Sequence, residues 1–306
     1  MILDTLISVT LVIALGLYLR RTLLPREEDW RGFEAISYYV LVPLLVGKTL
    51  AMAKLGEVPF VRLGSTLAGT VLIFAAVLLA IRPWLQKLLL TDAPGFTSIF
   101  QGALRWNSFI ALGFAANLYG NEGVTLTAVA ISALIPLLNV LCVFVLRKYG
   151  TGEGSLLRGL ATNPFIVGTL AGLVLNLVLN TTGLIIPRSI VMGLDIVAQC
   201  ALGSGLLLVG AGLRLHDLQR PSRALIAGVA LKLLVTPLIG FGLAMAFGLT
   251  GKVLVIAIIC LGVPTASACY LLARKMGGDA PLMAAITTAQ TLASMVTLPL
   301  LLALLT

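Results

Sequence analysis

Residues 96–109 read Phe96-Thr97-Ser98-Ile99-Phe100-Gln101-Gly102-Ala103-Leu104-Arg105-Trp106-Asn107-Ser108-Phe109. They open an apolar run, 97–118, of the length a helix needs to cross a hydrocarbon core of about 30 Å. An arginine at the centre of a bilayer costs roughly 2.5–3.5 kcal/mol on insertion scales. Arg105 lies about 14 Å into the run at about 1.5 Å per residue, close to the midplane. Gln101, Asn107 and Ser108 add to the cost. Something inside the protein must compensate these groups, so the run is read as a broken helix facing the interior of a bundle.

A second run carries a matching flaw. Gly262-Val263-Pro264-Thr265-Ala266-Ser267-Ala268 interrupts the apolar stretch 253–273. Pro264 stands about 18 Å from the outer end of that stretch, again near the middle. Proline removes a helical donor and clashes with the preceding turn, which frees carbonyls at depth. Paired interrupted helices in corresponding places of two halves point to a transporter binding site. The two runs are expected to cross, with half-helix ends facing a small polar cavity.

Outward from these runs, the chain is apolar throughout. Of its 306 residues 59% are hydrophobic and 11% charged, where a soluble domain carries about a quarter charged. Ten candidate spans are read at 2–19, 33–53, 63–81, 97–118, 124–146, 163–180, 189–213, 224–248, 253–273 and 281–304. They leave no room for a sizeable soluble domain, so residues 1–306 form one all-α membrane domain. Pro83–Pro94, with Trp84, Gln86 and Lys87 among leucines, reads as a short interfacial helix.

Lysine and arginine set the orientation. Alternate loops hold Arg20, Arg21, Arg26, Arg31, Arg82, Lys87, Arg147, Lys148, Arg158, Arg214, Arg220, Arg223, Arg274 and Lys275, which is 14 of the 21 basic residues. Lys48, Lys54, Arg62, Arg188 and Lys252 fall on the other side, and Arg105 and Lys232 lie within spans. The positive-inside rule then puts both termini outside the cytoplasm of a cell membrane. Charge before the first apolar run is acidic (Asp4) and basic after it, the reverse of a signal peptide, so the run is expected to be a retained span. The net charge of +9 is topological, since the basic residues form no nucleic-acid-binding stripe.

The spans divide as five plus five. Pro43-Leu44-Leu45-Val46-Gly47 resembles Leu206-Leu207-Leu208-Val209-Gly210, and Ile135-Pro136-Leu137-Leu138 resembles Leu298-Pro299-Leu300-Leu301, both 163 residues apart. A duplication with repeats at about 1–150 and 158–306 follows. An odd number of spans per repeat makes the halves run through the membrane in opposite senses, an arrangement that belongs to secondary transporters.

Arg105-Trp106-Asn107-Ser108-Phe109, followed by Gly113, Gly120, Gly123, Pro136 and Asn139, resembles the signature of the auxin efflux carrier family. Pro43-Leu44-Leu45, the Lys232–Pro237 spacing, Pro264 and Thr297-Leu298-Pro299 extend the resemblance over the whole chain. That family includes plant auxin exporters and bacterial permeases for malate or malonate. The resemblance implies the inverted-repeat fold shared with bile-acid symporters and sodium/proton antiporters, in which spans four and nine cross. It also marks Pro43, Pro136, Asn139 and Pro264 as crossover or hinge positions. Trp106 stands where the plant carriers have proline, so a milder break is expected in span four. The long cytoplasmic loop of the plant exporters is absent, which argues against auxin as the substrate.

Each polar residue at depth has two readings. Asn107 matches the family's crossover asparagine and is either a substrate or helix-end contact or a packing amide. Arg105 fits a carboxylate with its guanidinium fork, or else snorkels or pairs within the protein. Pro264 and Thr265 shape the second break or mark an ordinary kink. Gln101 and Ser267 complete the substrate-facing set. Lys232 either balances charge at the crossing, by neutralising carbonyl ends or exchanging a proton, or snorkels to the interface. Asp195 is a coupling or ion-pair group, or simply lies near the interface. His216 falls in a basic loop and reads as solvated. Cys142, Cys200, Cys260 and Cys269 lie in apolar runs and read as small hydrophobes; no metal or cofactor is implied.

The crossing region has an arginine and no acid, whereas cation exchangers place carboxylates there. A small organic anion, a mono- or dicarboxylate, is the expected substrate, moved by uniport or proton coupling as one five-helix set shifts against the other. A sodium-coupled bile-acid-like symporter is the rival within transport, and a membrane-embedded ligand sensor the rival outside it. An intramembrane enzyme is not expected, since no nucleophile and base stand together at depth. The expected partners are the substrate and the bilayer, with a homodimer left open and no nucleic acid.

Overall fold

Polar side chains mark where the helices start. Asp92 accepts from the Gly95 amide (2.8 Å), Asn163 from Phe165 (3.0 Å), Ser222 from Leu225 (3.1 Å) and Asp279 from Leu282 (2.9 Å). Each satisfies an amide that the first helical turn leaves free. Residues 2–54, 59–151, 163–218 and 221–305 are described by a computed structural model; Arg158, Arg220 and most of the stretch between the proposed repeats lie outside them.

The helices in chain order are α1 (Ile2–Thr22), α2 (Glu27–Ile36), α3 (Val42–Ala51), α4 (Phe60–Ala80), α5 (Arg82–Leu89), α6 (Ala93–Leu104) and α7 (Ser108–Tyr149). The second half adds α8 (Pro164–Thr182), α9 (Arg188–Ala211), α10 (Arg223–Ala230), α11 (Thr236–Ala246), α12 (Gly251–Gly262), α13 (Ala268–Lys275) and α14 (Ala280–Ala303). α2 passes into α3 through a π-helical turn, Ser37–Leu41, and α10 into α11 through another, Leu231–Val235. Pro43 and Pro237 each follow such a turn by two residues. The proline ring crowds the carbonyl four residues back, and the wider π turn makes room for it without ending the helix. α5 is a short helix where an interfacial one is expected, with Leu85 and Leu89 buried while Trp84 and Leu88 stay exposed.

Eight helical stretches among the described residues are long and apolar enough to cross a membrane. One of them, Ala93–Tyr149, is 57 residues long, more than twice what one crossing needs. It is not a single rod. The helix stops at Leu104, resumes at Ser108, and leaves helical geometry again at Gly120 (φ 56°, ψ −137°). A Cβ on Gly123 would overlap the Ala115 carbonyl, although eight residues of straight helix would hold them about 12 Å apart. The chain therefore turns back on itself at Gly120.

The tightest helix pairs are glycine-mediated. A Cβ on Gly47 (α3) would come 2.9 Å from the Gly168 carbonyl of α8, and Gly172 of α8 lies directly against Gly47. Gly16 of α1 meets the Leu207 backbone of α9, and Gly210 of α9 meets that of Ile13. Small residues let backbones approach this closely where lipid offers no hydrophobic drive. Asn176 of α8 strengthens one pair: its Nδ2 donates to the carbonyls of Leu50, Ala51 and Ala53 at 3.0, 2.9 and 2.8 Å, where α3 ends. These pairs tie α1 and α3 to α8 and α9, across the two halves of the sequence. The expected motion of one five-helix set against the other would break them, whereas motion of α1–α3, α8 and α9 as a unit preserves them.

Candidate functional site

The two sequence breaks are real and they meet. Arg105, Trp106 and Asn107 are non-helical, with Arg105 extended (φ −69°, ψ 158°). The milder break expected from Trp106 does not occur, because Asn107 starts a new helix without help from proline. Its Oδ1 accepts from the amides of Phe109 (3.1 Å) and Ile110 (3.2 Å). The second break runs from Val263 to Ser267, between α12 and α13. The Asn107 amide donates to the Pro264 carbonyl at 2.8 Å, a direct bond between the interruptions.

Breaking a helix strands its last carbonyls, and two side chains from elsewhere bond to carbonyls there, with Lys232 close by. Gln290 of α14 donates through Nε2 to Gly102 (3.0 Å) and Gly228 (2.9 Å), while its Oε1 accepts from the Thr265 amide (2.9 Å). Thr236 donates to Ala103 (3.0 Å) and Leu231 (2.9 Å), the second inside the π turn. Lys232, 1% exposed, lies within electrostatic reach of Cys260 in the last turn of α12. That burial means it does not snorkel to the surface.

Beside the crossing is a cavity of about 490 Å³. Arg105, Asn107, Ser108 and Phe109 line it from the first break, and Ala266, Ser267 and Ala268 from the second. Tyr38, Asn139, Tyr270 and Thr287 add polar groups, and Arg20, Arg31, Arg214 and Arg274 add cations. The Arg214 guanidinium stacks 4.1 Å from the Tyr270 ring centroid. Arg105 has Cys142, Cys269 and Tyr38 within electrostatic reach, and no carboxylate among them. Its buried Nη1 makes no hydrogen bond. Arg105 also lines the cavity, and a guanidinium there is suited to a planar anion such as carboxylate.

Of the residues singled out from sequence, Arg105, Asn107, Ser267 and Asn139 come together at this cavity. Thr265 is fully buried behind it, bonded to Gln290 and 3.3 Å from the Cys269 sulfur. Gln101 is also fully buried, and both its amide atoms lack partners. Pro43 packs on Gly168, and Pro136 lies within α7; neither lines the cavity. Asp195 is ion-paired with Lys48 of α3 and is likewise absent from the cavity lining.

Sequence reading passed over Gln290 and Thr236, the clasps of the crossing, and the cavity residues Tyr38, Tyr270 and Thr287. The signal for Gln290 was present. Thr287, Gln290, Thr291 and Ser294 recur at helical spacing in an otherwise apolar span, and all are buried. Among the described residues, no group of three or more His, Cys, Asp or Glu side chains could hold a metal ion. A family model described as membrane transport protein matches residues 152–302, a range that contains the second break, Lys232 and Gln290 but not Arg105 or Asn107. No curated protein matches the chain.

Proposed function

We propose, from the match of residues 152–302 to a family model described as membrane transport protein, a secondary transporter that carries a small organic anion, a carboxylate, by alternating access. The observation that carries the anion reading is Arg105, whose buried Nη1 has no hydrogen-bond partner and which lines a cavity with an excess of arginines. Arg105, Asn107 and Ser267 hold the substrate, while Gln101, Pro264 and Thr265 shape the second layer. Lys232 balances charge at the carbonyl ends. Transport is by uniport or proton coupling.

The architecture we infer has ten spans in two inverted repeats. Counting the fold-back at Gly120 as a boundary, and α12 with α13 as one broken span, brings eight stretches to ten. The order of elements supports the repeat: α6 and α12 are both 12 residues long, start 158 positions apart and end in a break. The orientation we infer puts the arginine-lined mouth towards the cytoplasm and both termini outside it, in a cell membrane. A homodimer is compatible with this arrangement.

Uptake into proteoliposomes tests the function. Saturable accumulation of labelled malate, acetate or indole-3-acetate, abolished by Arg105→Ala in folded protein, is the expected result. Unsaturable leak, or no flux for any carboxylate, overturns it.

A further inference from the structure

Glu27 and Glu34 are the two carboxylates lining the cavity among the described residues. Glu27 lies 3.7 Å from Arg31, one turn along the same helix. Glu34 has no such pairing. Four residues on, Tyr38 occupies the π turn between α2 and α3 and lies within electrostatic reach of both Glu34 and Arg105. Glu34 and Arg105 therefore line the same cavity, each within electrostatic reach of one phenol.

We propose that Glu34 is the proton-accepting group that couples anion binding to proton uptake. The inference rests on the anion site proposed above and assigns its coupling residue. A carboxylate entering the cavity that Arg105 and Glu34 both line meets the negative charge of Glu34. Taking one proton from water onto the Glu34 carboxylate removes that repulsion, so anion and proton bind together. By linkage, each favours the other to the same extent.

The other charged and titratable groups facing this space are Arg20 at the end of α1, Glu27, Arg31 and Tyr38 on the same span, Arg105 at the first break, Arg214 after α9, and Tyr270 and Arg274 on α13. α9 packs against α2 but contributes no charged side chain to the cavity, and its Asp195 is held by Lys48. Glu34 is thus the carboxylate free to change charge when the anion arrives.

The test is calorimetry on the full chain with malate, acetate and indole-3-acetate, in buffers of different ionisation enthalpy and at pH values where each probe stays ionised. Wild type is expected to take up as much as one proton per anion, with affinity falling up to tenfold per pH unit as pH rises. Glu34→Gln is expected to bind without proton uptake, to lose the pH dependence, and at high pH to bind more tightly than wild type. Glu28→Gln, on the same helix but outside the cavity, is expected to keep the wild-type profile. Binding of any probe to wild type with no proton uptake, or an unchanged pH profile in Glu34→Gln, overturns the coupling role and leaves the anion site standing. If none of the three probes binds wild type, the anion site itself falls, and the coupling role with it.

Discussion

At the scale of single residues, Asn107 holds two offices that substitution can separate. Its side-chain oxygen caps α7, a bond whose loss typically costs about 1 kcal/mol, and it faces the cavity. Asn107→Asp keeps an acceptor for the cap but adds negative charge beside the proposed anion. We expect this variant to unfold within a few degrees of wild type while losing at least tenfold in carboxylate affinity, measured by thermal unfolding and calorimetry. Asn107→Ala is expected to lose both. The importance of Arg105 and Asn107 was legible because a charge and an amide at bilayer depth need an internal reason. Gln290 was legible only as one member of a polar face at helical spacing; that it clasps carbonyls from two other helices was not. Asp195 drew attention for the same cause as Arg105, yet its charge is answered by Lys48, 147 residues away in sequence.

At the scale of elements, the account turns on how a broken helix keeps its backbone satisfied. Gln290→Leu strands the Thr265 amide and the Gly102 carbonyl, each costing about 1–3 kcal/mol when buried, and removes one of the bonds to the Gly228 carbonyl. We expect it to be among the most destabilising single changes in the molecule, on the order of 3 kcal/mol or more by denaturant or thermal unfolding. Thr291→Val removes only a bond to its own helix, at Thr287, and is expected to shift stability by about 1 kcal/mol or less. Both breaks were readable, one from Pro264 and one from polar residues at depth, but the depth of the first break was underestimated. Trp106 lacks proline's intrinsic effect; the capping asparagine and the carbonyl clasps end the helix instead. The π turns were hidden because a proline in a span announces strain without saying whether the helix kinks, breaks or widens.

At the scale of the whole molecule, the sequence disclosed an all-helical membrane protein and where its helices stop, but not which helices move together. That grouping depends on glycines meeting across more than a hundred residues, such as Gly47 with Gly168 and Gly16 with Leu207, and no local pattern encodes such a meeting. Gly172→Leu is therefore expected to prevent stable folding, since its side chain would enter the Gly47 backbone; size-exclusion profiles of the solubilised protein would report it. Orientation is also open to direct measurement. In a protein without native cysteines, Ser267→Cys should react with a membrane-impermeant thiol reagent from the cytoplasmic side and be protected by bound carboxylate.

The central claim is that the Arg105 guanidinium at the crossing recognises an anion. It is tested most directly by measuring carboxylate binding to wild type, Arg105→Lys and Arg105→Ala in one thermal-shift and calorimetry series, because a ligand of the folded state raises its apparent stability. The account predicts stabilisation of wild type, weakened binding in Arg105→Lys because the bidentate fork is lost, and none in Arg105→Ala although that protein still folds. Equal stabilisation of wild type and Arg105→Ala by the same carboxylate would contradict it.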